Sequence, residues 1–156
     1  MIVLGIDPGQ KWGYAVIDSA NPRDVLYSRA RKLASKTKDG AMDELRAAVL
    51  SLCSEWRAVL AAVEDKPFLS GGKNANDWSA VLRTAAAAGA GAAGCTVVTV
   101  NPGTWKKNVC GSGALEPKAY QSIINRLFRV TTATHDEAAA IGIAAYAAVV
   151  QGRVKA

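Results

Sequence analysis

Ile2-Val3-Leu4-Gly5-Ile6-Asp7-Pro8-Gly9, followed at once by Trp12-Gly13-Tyr14-Ala15-Val16-Ile17, is the stretch that decides how this chain folds. The first run is apolar on both faces of any strand it forms, so residues 2–7 are predicted to lie inside a sheet. Asp7-Pro8-Gly9 is turn chemistry, and the second apolar run is predicted to return beside the first as a hairpin. Asp7 then closes a buried strand at the edge of the sheet, where crevices form.

Two other acids occupy comparable places. Glu64 ends the run Ala58-Val59-Leu60-Ala61-Ala62-Val63, and Asp136 opens a long Ala- and Ile-rich segment through Thr134-His135-Asp136-Glu137. Carboxylates far apart in sequence but converging in space hold Mg²⁺ for phosphodiester chemistry, where two ions clamp the attacking water and the leaving oxygen. Each acid singly also has a plainer reading, as the first solvated residue after a strand or as part of a turn. Convergence of Asp7, Glu64 and Asp136 would separate the two readings.

The chain has 156 residues, half of them apolar, which suits a single domain over 1–156 with a real core. Its formal net charge of +6 favours a polyanionic partner. No apolar stretch is long enough to span a bilayer, and no signal peptide opens the chain, so a soluble, cytoplasmic protein is expected. Cys53, Cys95 and Cys110 fit no zinc or redox spacing and are expected to be free thiols.

The hydrophobic pattern predicts strands at 2–7, 12–17, 25–28, 59–63 and 96–100. Helices are predicted at 42–56, near 77–88, from Pro117 through Phe128, and from about 135 to 150. In the first, Leu45, Val49, Leu52, Cys53 and Trp56 share one face; in the third, Tyr120, Ile123, Ile124, Leu127 and Phe128 do. The order βββαβαβαα predicts one five-stranded mixed sheet with helices on both faces, an α/β fold.

Thr134 and Glu137 have the spacing of a capping box, so Glu137 is read as a cap before a metal ligand. His135, the chain's single histidine, is a candidate auxiliary group near the metals or an ordinary first-turn surface residue. Ser70-Gly71-Gly72-Lys73 lacks the spacing and the following hydroxyl of a P-loop, so no nucleotide cofactor is expected.

Taken together, these segments resemble the RuvC family of Holliday-junction resolvases, which have an RNase H-like fold of the retroviral-integrase superfamily. The resemblance runs through Leu4-Gly5-Ile6-Asp7-Pro8-Gly9 with Gly13-Tyr14-Ala15-Val16-Ile17, and through Ala62-Val63-Glu64 with Phe68-Leu69 and Lys73-Asn74-Ala75. It continues in Trp105-Lys106-Lys107-Asn108-Val109-Cys110-Gly111-Ser112-Gly113 with Lys118, and in His135-Asp136 with Ala140-Ile141-Gly142-Ile143-Ala144. It implies a homodimer that binds a four-way DNA junction and cuts it by Mg²⁺-dependent hydrolysis, with two ions per site and Mn²⁺ as a plausible substitute. Asp7, Glu64 and Asp136 inherit the catalytic, metal-binding role. Lys106 and Lys118 inherit contacts to DNA; Lys107 and Lys73 extend the basic surface, and Lys106 is also a possible auxiliary at the cut. Phe68 lies near the place where the family inserts an aromatic side chain at the junction centre, or it simply anchors its loop.

One position departs from the family. A fourth acid is usual one helical turn after Asp136, and here that position is Ala139. Glu137 is turned about 100° away on a helix and cannot simply replace it. Metal binding that is weak or altered in geometry, with slow or absent cleavage and surviving DNA binding, is the expectation. The competing readings are a nuclease of the same fold acting on forks or flaps, and a non-catalytic junction-binding protein. An actin-like ATP-binding domain would need a second lobe, for which the chain is too short.

Overall fold

β1 (Ile2–Asp7) lies in the middle of a five-stranded sheet, as its two apolar faces require. The computed structural model describes residues 1–66 and 72–154. β2 (Lys11–Asp18) returns antiparallel to β1 with Asp7 opposite Gly13, and β3 (Val25–Lys32) continues the meander to one edge. On its other side β1 pairs parallel with β4 (Leu60–Glu64), which pairs parallel with β5 (Thr96–Val100). The order is β3-β2-β1-β4-β5, so the C-terminal ends of β1 and β4 are neighbours.

Helices α1 (Lys38–Trp56) and α2 (Gly72–Ala92) cover one face. There Leu4, Ile6, Trp12, Tyr14 and Val16 pack with Leu45, Val49, Leu82 and Ala86. On the other face Val3, Ala15, Ile17 and Ala62 pack with Trp105, Tyr120, Ile124, Ile141 and Ile143. These come from a single helical turn, α3 (Pro102–Trp105), from α4 (Pro117–Phe128) and from α5 (His135–Val154); a π-helical turn over Lys106–Cys110 follows α3 directly. The expected mixed sheet between two helical layers is thus present.

Two close approaches fix α5 on the sheet. A Cβ on Gly13 would collide with the backbone of Asp136 and Glu137, and one on Gly5 would collide with the Ala140 carbonyl and Ala144. The first turn of α5 therefore rests on the residue paired with Asp7.

The predicted boundaries differ at several elements. α1 starts at Lys38 rather than residue 42, because Thr37 caps it by accepting a hydrogen bond from the Gly40 amide at 3.1 Å. β3 runs on to Lys32, since an edge strand tolerates the exposed charges that hide it in the sequence. α2 and α5 are both longer than predicted. The turn at Asn101-Pro102-Gly103 is the start of α3: Asn101 Oδ1 accepts from Gly103 N at 2.9 Å, and proline takes the first helical position. Cys53, Cys95 and Cys110 are free thiols. Among the described residues, no helix is long and apolar enough to cross a membrane.

Candidate active site

The β1–β4 register brings Asp7 and Glu64 to the same edge of the sheet, where they are only 2 % and 3 % exposed. Two carboxylates so deeply buried need partners, and Glu64 has one on Oε1, which accepts from Trp105 Nε1 at 2.9 Å. Asp7 Oδ1 and Glu64 Oε2 have no directed hydrogen bond among the described residues. Their counter-charge is the Lys66 ammonium, with Nζ 2.9 Å from Asp7 Oδ1 and 3.4 Å from Glu64 Oε2. This is attraction between charges without hydrogen-bond alignment.

Burial dominates the electrostatics. It raises the Asp7 pKa against the opposing pull of Lys66, and the Asp136 charge adds to the rise. Burial and then the Asp7 charge push Glu64 up to about 7. Burial works against the charge on Lys66, but the two carboxylates outweigh it and raise its pKa above the ordinary lysine value. The folded chain therefore holds more protons on Glu64 than the unfolded chain does, between the ordinary carboxylate range and about pH 7. In EDTA, the melting temperature is expected to fall as the pH rises from about 5 to about 8. Glu64→Gln should flatten that decline. A melting temperature that climbs through this window would contradict the raised pKa.

Asp136 sits in the first turn of α5, against Gly13. Its charge reaches Asp7 and also Tyr120, whose hydroxyl is pushed up by burial and then by Asp7, Glu64 and Asp136. The structure thus brings Asp7 and Glu64 together and places Asp136 within electrostatic range. Among the described residues no three His, Cys, Asp or Glu side chains close up into a ligand cluster. His135 is half exposed, with Nε2 3.4 Å from Asp136 Oδ1, and its ring meets the edge of Tyr120.

Glu137 is a cap. Its amide donates to Thr134 Oγ1 at 3.2 Å, Oε2 accepts from the Ala133 amide at 2.8 Å, and Oε1 accepts from Ser28 Oγ at 2.7 Å. With both oxygens engaged, it does not fill the gap at Ala139, which is 1 % exposed within the apolar cluster under α5.

Among the basic residues, Lys106 lies over the rings of Tyr120 and Trp105, with Nζ 5.1 Å from the first ring centre and 6.0 Å from the second. Lys107, Lys118 and Lys73 are exposed, in the π-helical turn and in the first turns of α4 and α2. Phe68 lies outside the described residues.

A divalent cation fits this site. Two buried carboxylate oxygens lack aligned donors and face a common point already occupied by positive charge, and an all-oxygen donor set suits Mg²⁺.

Sequence reasoning missed Lys66 and the role of Trp105. A lysine two residues after a strand carries no signal, and Trp105 was legible only as part of a basic stretch. Trp105 stands against Gly142 of α5 on one side and Glu64 on the other, so it transmits the packing of α5 to the carboxylate. Trp105→Phe keeps most of the ring and removes the N–H that holds Glu64. It is expected to weaken Mn²⁺ binding by about 10- to 100-fold with the fold intact, measured by titration of the metal. Unchanged affinity would mean that Glu64 needs no such support.

The family model for crossover junction endodeoxyribonuclease RuvC matches residues 3–147. Comparison with curated proteins found no match. Among solved structures, Thermus thermophilus RuvC is 21 % identical with a TM-score of 0.76, covering 98 % of this chain and 97 % of that one. T. thermophilus RuvC in complex with Holliday junction substrate gives 0.81 at 21 % identity, with 96 % of each chain covered. The yeast mitochondrial Holliday junction resolvase Ydc2 gives 0.67 at 13 % identity, with 98 % of this chain and 81 % of that one covered. The fold is the RNase H-like fold of these proteins, and the chain belongs to the RuvC family of crossover junction endodeoxyribonucleases.

Proposed function

We propose that two copies of this chain bind a four-way DNA junction and that each hydrolyses one phosphodiester with the help of Mg²⁺. The observation that carries this reading is the buried Asp7–Glu64 pair at the sheet edge, with one oxygen of each facing only the Lys66 ammonium among the described residues, in a chain of the RuvC family. When bound, Mg²⁺ would lower the pKa of a water and neutralise charge developing on the phosphate. Asp7 and Glu64 hold the cation, and Asp136 completes the donor set from the first turn of α5. Trp105 keeps Glu64 turned toward the cation. Lys106, held over Tyr120, approaches the scissile phosphate; Lys107, Lys118 and Lys73 neutralise phosphates of the arms. His135, beside Asp136, can orient a water. Phe68 is a candidate for stacking on an unpaired base at the junction centre. The T. thermophilus RuvC complex with junction substrate supports the choice of DNA.

Gel-shift titrations in EDTA test the substrate class, and sedimentation tests the dimer. A four-way junction should bind at least about tenfold more tightly than duplex of the same length. Lys106→Ala and Lys118→Ala should each lower the salt slope by about one. Equal affinity for duplex would contradict junction recognition, and preference for forks or flaps would move the assignment to another branched substrate. One observation favours a second reading, a junction-binding protein without cleavage: the usual fourth acid is replaced by a buried alanine.

A further inference from the structure

Lys66 is placed with more care than a surface lysine needs. The Asp65 amide donates to the Val100 carbonyl at 2.9 Å, and the Asp65 carboxylate pairs with Arg83 of α2. These two ties anchor the chain immediately after β4, so the Lys66 stem leaves from a fixed point beside the acids. Its ammonium lies between the two oxygens that no other group of the described residues serves. Mg²⁺ sits at about 2.0–2.1 Å from carboxylate oxygens and needs the same position, so both cations cannot occupy it together.

We propose that Lys66 is a resident competitor for the divalent metal, which neutralises Asp7 and Glu64 in the metal-free protein and leaves the site when the metal enters. The proposal rests on the metal-dependent reading above. It gives the chain a reason to tolerate two buried acids without metal, because the ammonium offsets a repulsion that burial would otherwise magnify. It also makes metal affinity a difference between two cations' interactions with the same oxygens, so deleting the weaker one must raise affinity for the other. Lys66 is half-buried and can turn to water once displaced, which allows the exchange without moving the sheet.

Mn²⁺ binding to the full chain without DNA, followed by the electron paramagnetic resonance of the free ion at one fixed pH, tests this. Lys66→Met should bind Mn²⁺ about tenfold more tightly than the parent chain, and Lys66→Arg, which keeps a cation, should stay within about threefold of it. In EDTA, Lys66→Met should melt at a lower temperature than the parent, with a larger rise on adding Mn²⁺. Should that variant fail to fold in EDTA, Lys66→Gln carries the same expectation. Unchanged or weaker Mn²⁺ binding in Lys66→Met, with binding still abolished by Asp7→Asn, overturns the proposal and leaves the metal site standing. Absence of Mn²⁺ binding in every variant overturns the metal-dependent reading and this proposal with it.

Discussion

Ala139→Asp is expected to raise Mg²⁺-dependent cleavage of a four-way junction on the order of 10²-fold over the parent chain. Position 139 lies one turn beyond Asp136 on the same face of α5. It stands between Asp136, which rests on Gly13 opposite Asp7, and Ala140, which rests on Gly5 of β1. On the metal-dependent reading, a carboxylate there would add a donor one helical turn from Asp136. The same substitution should destabilise the metal-free protein, because position 139 is buried among apolar side chains. An unpartnered acid in that setting costs on the order of 2 kcal/mol, and the added metal should return much of it. Cleavage rates and melting temperatures with Mg²⁺ and with EDTA check both halves. Equal cleavage by the two chains would refute the idea that Ala139 limits the site.

Asp7→Asn and Glu64→Gln should each abolish metal-dependent cleavage, with losses of about 10³-fold or more wherever the parent rate is measurable. Both substitutions keep the shape and remove the charge. In Glu64→Gln the side-chain carbonyl still accepts from Trp105 Nε1, so its orientation survives while its attraction for a cation falls. Junction binding in EDTA should be retained or tightened, since a negative charge facing the DNA phosphates is lost. The split between lost cleavage and retained binding is what distinguishes a metal ligand from a fold-supporting acid. Loss of binding together with cleavage would assign these residues to stability instead.

The architecture was legible wherever burial on both faces or turn chemistry left a mark. Ile2 to Asp7 reads as an interior strand because no face of it tolerates water, and Asp7-Pro8-Gly9 forces the return. The start of α5 was legible from Thr134 and Glu137, whose spacing is the cap that forms. β3 was cut short because Arg29, Arg31 and Lys32 look like a loop, although an edge strand carries them freely. Within the site, Asp7 and Glu64 could be found because each ends an apolar strand. Their partnership depended on the parallel pairing of β1 with β4, which periodicity does not reveal. Lys66 and Trp105 were hidden for the same reason: each owes its role to a contact across the fold, and neither residue type announces it locally.

Whether the Asp7–Glu64 edge is a metal site for cutting branched DNA is decided by incubating a synthetic four-way junction with the chain, with and without Mg²⁺, beside duplex and fork controls, and with Ala139→Asp in parallel. Paired nicks in opposing strands of the junction are expected, absent in EDTA and strongest in Ala139→Asp, with duplex and fork left largely intact. Junction strands that stay whole with both chains in Mg²⁺, or nicking that proceeds equally in EDTA, would contradict the metal-dependent reading.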